Sequence, residues 1–77
     1  MTMTKEQWFT TFCERLGIDG PSDDEIEVLL LLAGSAAHAS ERTAAPIACW
    51  LAGRSGIPLG VALKSALKIE ESEPKSE

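Results

Sequence analysis

The 77-residue sequence has few of the residues that most catalytic and metal sites use. It contains one histidine, which excludes a site built from several imidazoles, and two cysteines, Cys13 and Cys49, that stand too far apart to indicate a zinc-binding pair. It also lacks a glycine-rich loop long enough to cradle a phosphate. Because a general base needs a second group and a cleft, we predict a protein that is not an enzyme, with no catalytic residue, metal or cofactor.

Basic charge and long apolar runs are scarce as well. Seven Lys and Arg residues stand against twelve Asp and Glu residues, for a formal net charge of −5. Phosphate groups bind to basic patches, so we expect neither nucleic acid nor an anionic membrane surface as a partner. The longest apolar run, residues 28–33, is far shorter than the ~20 residues that span a bilayer. No signal peptide is recognisable at the N-terminus, and the expected location is the cytoplasm.

The sequence does have apolar residues, at 44% of the chain, spaced as in helices. A chain this short buries only about 60% of the surface that it exposes when unfolded. We therefore expect most of its apolar side chains to be needed in the core, including Trp8 and Trp50. Cys13 and Cys49 are expected to be buried thiols, with a disulfide between them as the alternative.

Two capping boxes predict the first two helices. Thr4 and Ser22 are each followed three residues later by Gln or Glu, and Gly17 is suited to end the first helix. The second helix is predicted from about Asp23 to His38 or Ser40. It is apolar nearly all round, so we expect it to be the central helix or to lie in an oligomer interface.

The second half of the chain predicts two further helices. Thr43 is a candidate N-cap and Pro46 fits the first turn of the third helix, while Pro58 fits the start of the fourth. Trp50 is expected to fill the groove left by small residues on the second helix. The predicted fold is an all-α, compact bundle of four short helices in one domain, residues 1–69. The acidic segment 70–77 is predicted to be a disordered tail.

His38, Glu41 and Arg42 form the one polar group of residues that stands out, at the end of the second helix and in the following turn. Such residues can cap a helix or pair with their neighbours, and the alternative is a patch that recognises a partner or ligand. Residues 41–69 carry four basic and one acidic side chain, which would suit an acidic partner surface. A small-molecule site would need a cavity near His38.

The segment from His38 to Gly53, HASERTAAPIACWLAG, resembles a small actinobacterial domain of unknown function, as does the segment from Trp8 to Glu25. That domain occurs alone and attached to nucleotidyltransferases similar to molybdenum cofactor guanylyltransferase. The resemblance implies an accessory role in molybdopterin-guanine dinucleotide biosynthesis, through contact with the transferase. We predict His38, Glu41, Arg42 and Arg54 as the contact residues. The alternative is a structural homodimer without a small-molecule ligand.

Overall fold

A computed structural model describes residues 2–72, and its secondary structure is entirely helical. Four α-helices follow one another: α1 (Lys5–Leu16), α2 (Asp23–Ala39), α3 (Ala44–Ser55) and α4 (Leu59–Ser72). The prediction of an all-α protein with four short helices is confirmed. The segment 73–77, which belongs to the predicted tail, lies outside the described residues.

Helices α1 and α2 begin with the predicted capping boxes. The backbone N–H groups of Gln7 and Glu25 donate to the hydroxyls of Thr4 and Ser22, each at 3.1 Å. The Gln7 and Glu25 side chains accept from the N-cap backbone N–H groups, each at 2.8 Å. Gly17 ends α1 with φ 72°, a left-handed conformation that glycine adopts without steric cost. Short-range hydrogen bonding therefore sets these ends.

The start of α3 differs from the prediction. Thr43 has helical backbone angles, and its side chain makes no capping hydrogen bond. The turn is closed instead by backbone bonds, from the N–H of Ala44 to the carbonyl of Glu41 and from the N–H of Ala45 to the carbonyl of Arg42. A cap hydroxyl needs an extended backbone to reach back over the first turn, which explains why Thr43 does not act as one.

Helix α2 is the centre of the packed part of the molecule, as predicted. It packs against both α3 and α4, whereas α3 and α4 contact each other only over a short stretch. Few of the described side chains are buried: Leu32 and Ser35 on α2, and Ala52 on α3. The expectation that most apolar side chains are buried in the core is therefore wrong.

Helix α1 stands apart, so the bundle that forms the core contains three helices. Within residues 2–72, α1 packs against none of the other helices. Its aromatic side chains contact one another instead, with 4.8 Å between the ring centroids of Trp8 and Phe12. The compact four-helix arrangement expected from the sequence is thus not closed within one chain.

Three sequence-based expectations are corrected by the packing. Trp8 and Trp50 are 50% and 61% exposed, so neither fills the core, and the groove of small residues stays open. Cys13 and Cys49 are half-buried free thiols, so no disulfide joins them. The third correction concerns the tail: residues 70–72 belong to α4, where the Glu70 side chain accepts a hydrogen bond from α2.

Candidate functional site

The predicted contact residues lie at two ends of α3. His38 is in the last turn of α2, and Glu41 and Arg42 are in the connection to α3. Arg54 is in the last turn of α3, about 15 Å from the start of that helix at 1.5 Å per residue. The structure therefore keeps His38, Glu41 and Arg42 together and separates Arg54 from them.

His38 lies next to a polar contact between α2 and α4. Its side chain is 75% exposed, and its Nδ1 is 3.9 Å from Oε2 of Glu70. The other carboxylate oxygen of Glu70 accepts a 2.8 Å hydrogen bond from the hydroxyl of Ser35. Sequence reasoning missed Glu70 because it ended the fourth helix one turn early. The signal was present, since Glu70 continues the four-residue spacing of Ala62 and Ala66 along α4.

Ser35, Glu70 and His38 are not arranged for nucleophilic catalysis. A nucleophilic serine needs a base that takes its proton and a reacting atom within reach. The Ser35 hydroxyl is directed at a carboxylate, and the residue is 4% exposed. In the described part of the chain, no three His, Cys, Asp or Glu side chains lie where they could hold a metal ion. This cluster joins α2 to α4.

Cys49 is a poor candidate for a nucleophile. Burial raises the pKa of its thiol above the ordinary value, because the charged thiolate is disfavoured away from water. Its Sγ lies 3.8 Å from the backbone carbonyl of Leu29, to which the protonated thiol donates. The thiol is therefore protonated at neutral pH, and only the thiolate is reactive.

An open groove runs over α2 between α3 and α4. It has a volume of about 450 Å³ and is lined by side chains that are mostly small: Leu32, Ser35, Ala36, Ala39, Ser40, Ala48, Ala66 and Ile69. We call it the alanine groove. Small-molecule sites combine an apolar lining with a few well-placed polar groups. Here the lining contains no charged side chain, and the Ser35 hydroxyl already donates to Glu70. The alanine groove is better suited to apolar side chains.

A second apolar surface lies along α3. Ile47, Trp50, Leu51 and Arg54 follow the i, i+3, i+4, i+7 spacing of one helix face, and we call them the α3 stripe. Its three apolar side chains are exposed. The Arg54 guanidinium carbon lies 5.9 Å from the centroid of the Trp50 ring, which is cation–π distance. Arg54, one of the predicted contact residues, therefore belongs to the α3 stripe.

The third surface is the aromatic face of α1, formed by Trp8, Phe9 and Phe12. The Trp8 ring is 4.8 Å from Phe12 and 6.0 Å from Phe9, measured between ring centroids, and all three residues are exposed. Together with Trp50, these are all the aromatic residues of the chain. Every aromatic side chain is therefore at the surface.

These surfaces and the helical fold define a small all-α protein that exposes much of its apolar side-chain content. The chain belongs to the family described as domain of unknown function DUF6457, which matches residues 2–72. The predicted resemblance to a small domain of unknown function is confirmed. No curated protein and no solved structure matches the chain. Across residues 2–72, none of the helices combines the length and hydropathy needed to cross a bilayer.

Proposed function

We propose that this protein is a non-catalytic interaction module that acts by binding another protein. The observation that carries the proposal is the exposure of all four aromatic side chains, together with the α3 stripe. Soluble monomers rarely expose contiguous apolar patches of more than a few hundred Å². Tryptophan, phenylalanine and arginine are also residue types that protein interfaces favour.

The α3 stripe is the proposed binding surface for a different protein. Trp50 and Arg54 are of the residue types that dominate binding energy at interfaces, and the cation–π contact between them supports the indole at the surface. Residues 41–69 carry a net charge of +3, which suits a partner with an apolar pocket and an acidic rim. His38 and Arg42, near the other end of α3, would contact that rim, and Glu41 would pair with a basic residue beside it.

The resemblance described above suggests the partner, a molybdenum cofactor guanylyltransferase. On this proposal the chain assists molybdopterin-guanine dinucleotide biosynthesis in the cytoplasm by contacting the transferase, and it contributes no catalytic group. The support is the family resemblance, and the net charge of +3 over residues 41–69 would suit an acidic surface on that partner.

Calorimetric titration of the full chain into a purified guanylyltransferase tests this proposal. We expect micromolar binding or tighter, weakened at least about tenfold by Trp50→Ala, since truncation of an interface tryptophan typically costs about 2 kcal/mol. Val61→Ala is the control, because Val61 is a similarly exposed apolar residue but lies on α4, outside the α3 stripe. His38→Ala and Arg42→Ala should weaken binding without changing helicity. No binding at 100 µM, taken as about a hundredfold excess over the expected dissociation constant, contradicts the proposed partner.

A structural homodimer is the second candidate function, favoured by the exposure of Leu30 and Leu31 on the central helix. The sequence alone suggests Leu31→Glu or Leu32→Glu as a change that separates the two chains. The structure distinguishes these two residues. Leu32 is 4% exposed in the core, so a charge there would unfold the chain, whereas Leu31 is at the surface.

A further inference from the structure

The chain exposes more surface than a compact monomer of its mass. Its accessible surface is 6411 Å² for 8.2 kDa, whereas a compact monomer of this mass exposes about 4,500 Å². Met1 and residues 73–77 would account for at most about 1,000 Å² even if counted as fully accessible chain. The remaining excess of about 900 Å² is comparable to the ~800 Å² that each partner contributes to a standard interface.

The alanine groove is an open depression formed by the three packed helices. Helices α3 and α4 both pack on α2 but contact each other only over a short stretch, and the groove lies between them. Leu32 and Ser35 form its floor, and Ala48 and Ala66 line its two sides. Small side chains on three helices allow a further helix to approach closely, provided that this helix supplies large side chains.

Helix α1 has the complementary surface. Its aromatic face has no helix to pack against in the described part of the chain, and its three large rings match a groove that lacks bulk. We propose that α1 of one copy packs into the alanine groove of a second copy, and that the second copy does the same in return. The result is a two-fold homodimer in which each chain completes the other's four-helix bundle.

Two observations favour a second copy as the occupant. The groove is not covered by the α1 of the same chain, which packs against none of the three described helices that line it. In addition, residues 19–27 contain five carboxylates, and residues 41–69 carry a net charge of +3. A reciprocal pair brings the acidic segment of each chain towards the basic segment of the other.

The homodimer rests on the proposed function only in the general claim that this chain acts by contacting proteins. Two variants test it. In the first, Trp8→Ser and Phe12→Ser remove the aromatic face but leave the groove. In the second, Ala39→Trp fills the groove but leaves α1. Light scattering after gel filtration should give twice 8.2 kDa for the natural chain and 8.2 kDa for each variant alone. An equimolar mixture should form a heterodimer, because one intact contact remains between the two variants.

Controls keep the outcomes distinct. Thr10→Ala, on α1 but outside the aromatic face, should leave the dimer intact. The α1 variant should leave the packing of α2, α3 and α4 in place, since α1 packs against none of them. If Ala39→Trp lowers helicity, Ser40→Trp on the exposed rim of the groove replaces it. We expect the α1 variant to raise the dimer dissociation constant by at least about a hundredfold.

Three results would overturn the homodimer. A natural chain that stays monomeric at 100 µM, about a hundredfold above a micromolar dissociation constant, has no such interface. Variants that remain dimeric show that the copies meet through another surface. A mixture that stays monomeric, while the natural chain is a dimer, shows that α1 and the groove do not contact each other between chains. The α1 variant keeps the α3 stripe, so its binding to the transferase tests the proposed function without the dimer. Failure of the dimer and failure of the proposed function can therefore be told apart.

Discussion

Ser35 is the polar residue that the described fold covers most completely, and its hydroxyl connects the two helices that pack most extensively. It donates to Glu70 at 2.8 Å, across a separation of 35 residues in the sequence. Hydrogen bonds to charged groups contribute more than those between neutral groups, because the charge strengthens the bond. This pair therefore fixes how α4 lies on α2.

We predict that Ser35→Ala lowers the free energy of unfolding by about 1.5 kcal/mol, because the partly buried Glu70 carboxylate loses its hydroxyl donor. Urea denaturation followed by circular dichroism measures this. Ser65→Ala is the matched control on an exposed position of α4, and it should change stability by less than about 0.5 kcal/mol. Equal effects of the two substitutions would contradict the role given to the Ser35–Glu70 bond.

Cys49 provides a second prediction at the residue scale. Burial raises its thiol pKa, so less thiolate is present at a given pH than in an exposed cysteine. In a Cys13→Ala chain, alkylation by iodoacetamide at pH 8 should be slower than for a model thiol. Its pH–rate profile should have a midpoint above the ordinary value of 9.0. In urea the difference should disappear, and a midpoint below that of the model thiol in the folded chain would contradict the assignment.

At the scale of the element, α1 and α2 begin in the same way but have different surroundings. Their capping boxes have the same distances, 3.1 Å and 2.8 Å. Helix α2 is the centre of the packed part, whereas α1 has no packing partner among the other helices that the structure describes. The same loss of a cap should therefore have different effects on the stability of the whole fold.

We predict that Ser22→Ala costs about 1 kcal/mol of unfolding free energy at every protein concentration, as expected for a lost N-cap. Thr4→Ala should not change the unfolding of the monomer, because α1 is not part of its cooperative core. It should cost a similar amount only at concentrations where the dimer forms and α1 is packed. Chemical denaturation at low and high protein concentration checks this. A concentration-independent cost for Thr4→Ala would mean that α1 is packed within the monomer.

The sequence predicts the elements well where their signals are local. The starts of α1 and α2 and the glycine that ends α1 depend on bonds within three or four residues, so they can be read from the chain. The end of α4 is harder to predict: the spacing of Ala62, Ala66 and Glu70 extends the helix, but the bond that holds Glu70 comes from a residue 35 positions away. The predicted cap at Thr43 was wrong for a similar reason, since the α2–α3 turn sets its backbone angles.

At the scale of the whole molecule, the sequence misleads about what the apolar residues do. An apolar helix face indicates that another element packs against it. The pattern does not say whether that element belongs to the same chain or to another. Trp8 and Trp50 are read as core residues by this logic, and the structure exposes both. The candidate contact residues could be named from the sequence, but the α3 stripe that surrounds Arg54 could not be distinguished from a core-facing stripe.

The central claim is that the apolar surface of this protein is used between molecules and not within one. The most direct test is an isotope-filtered nuclear Overhauser measurement on an equal mixture of ¹³C-labelled and unlabelled chains. The account predicts contacts between the Phe12 ring of one chain and the methyl groups of Ala36 and Ala39 of the other. If the same contacts appear only within a single chain, α1 closes its own bundle and the claim is contradicted.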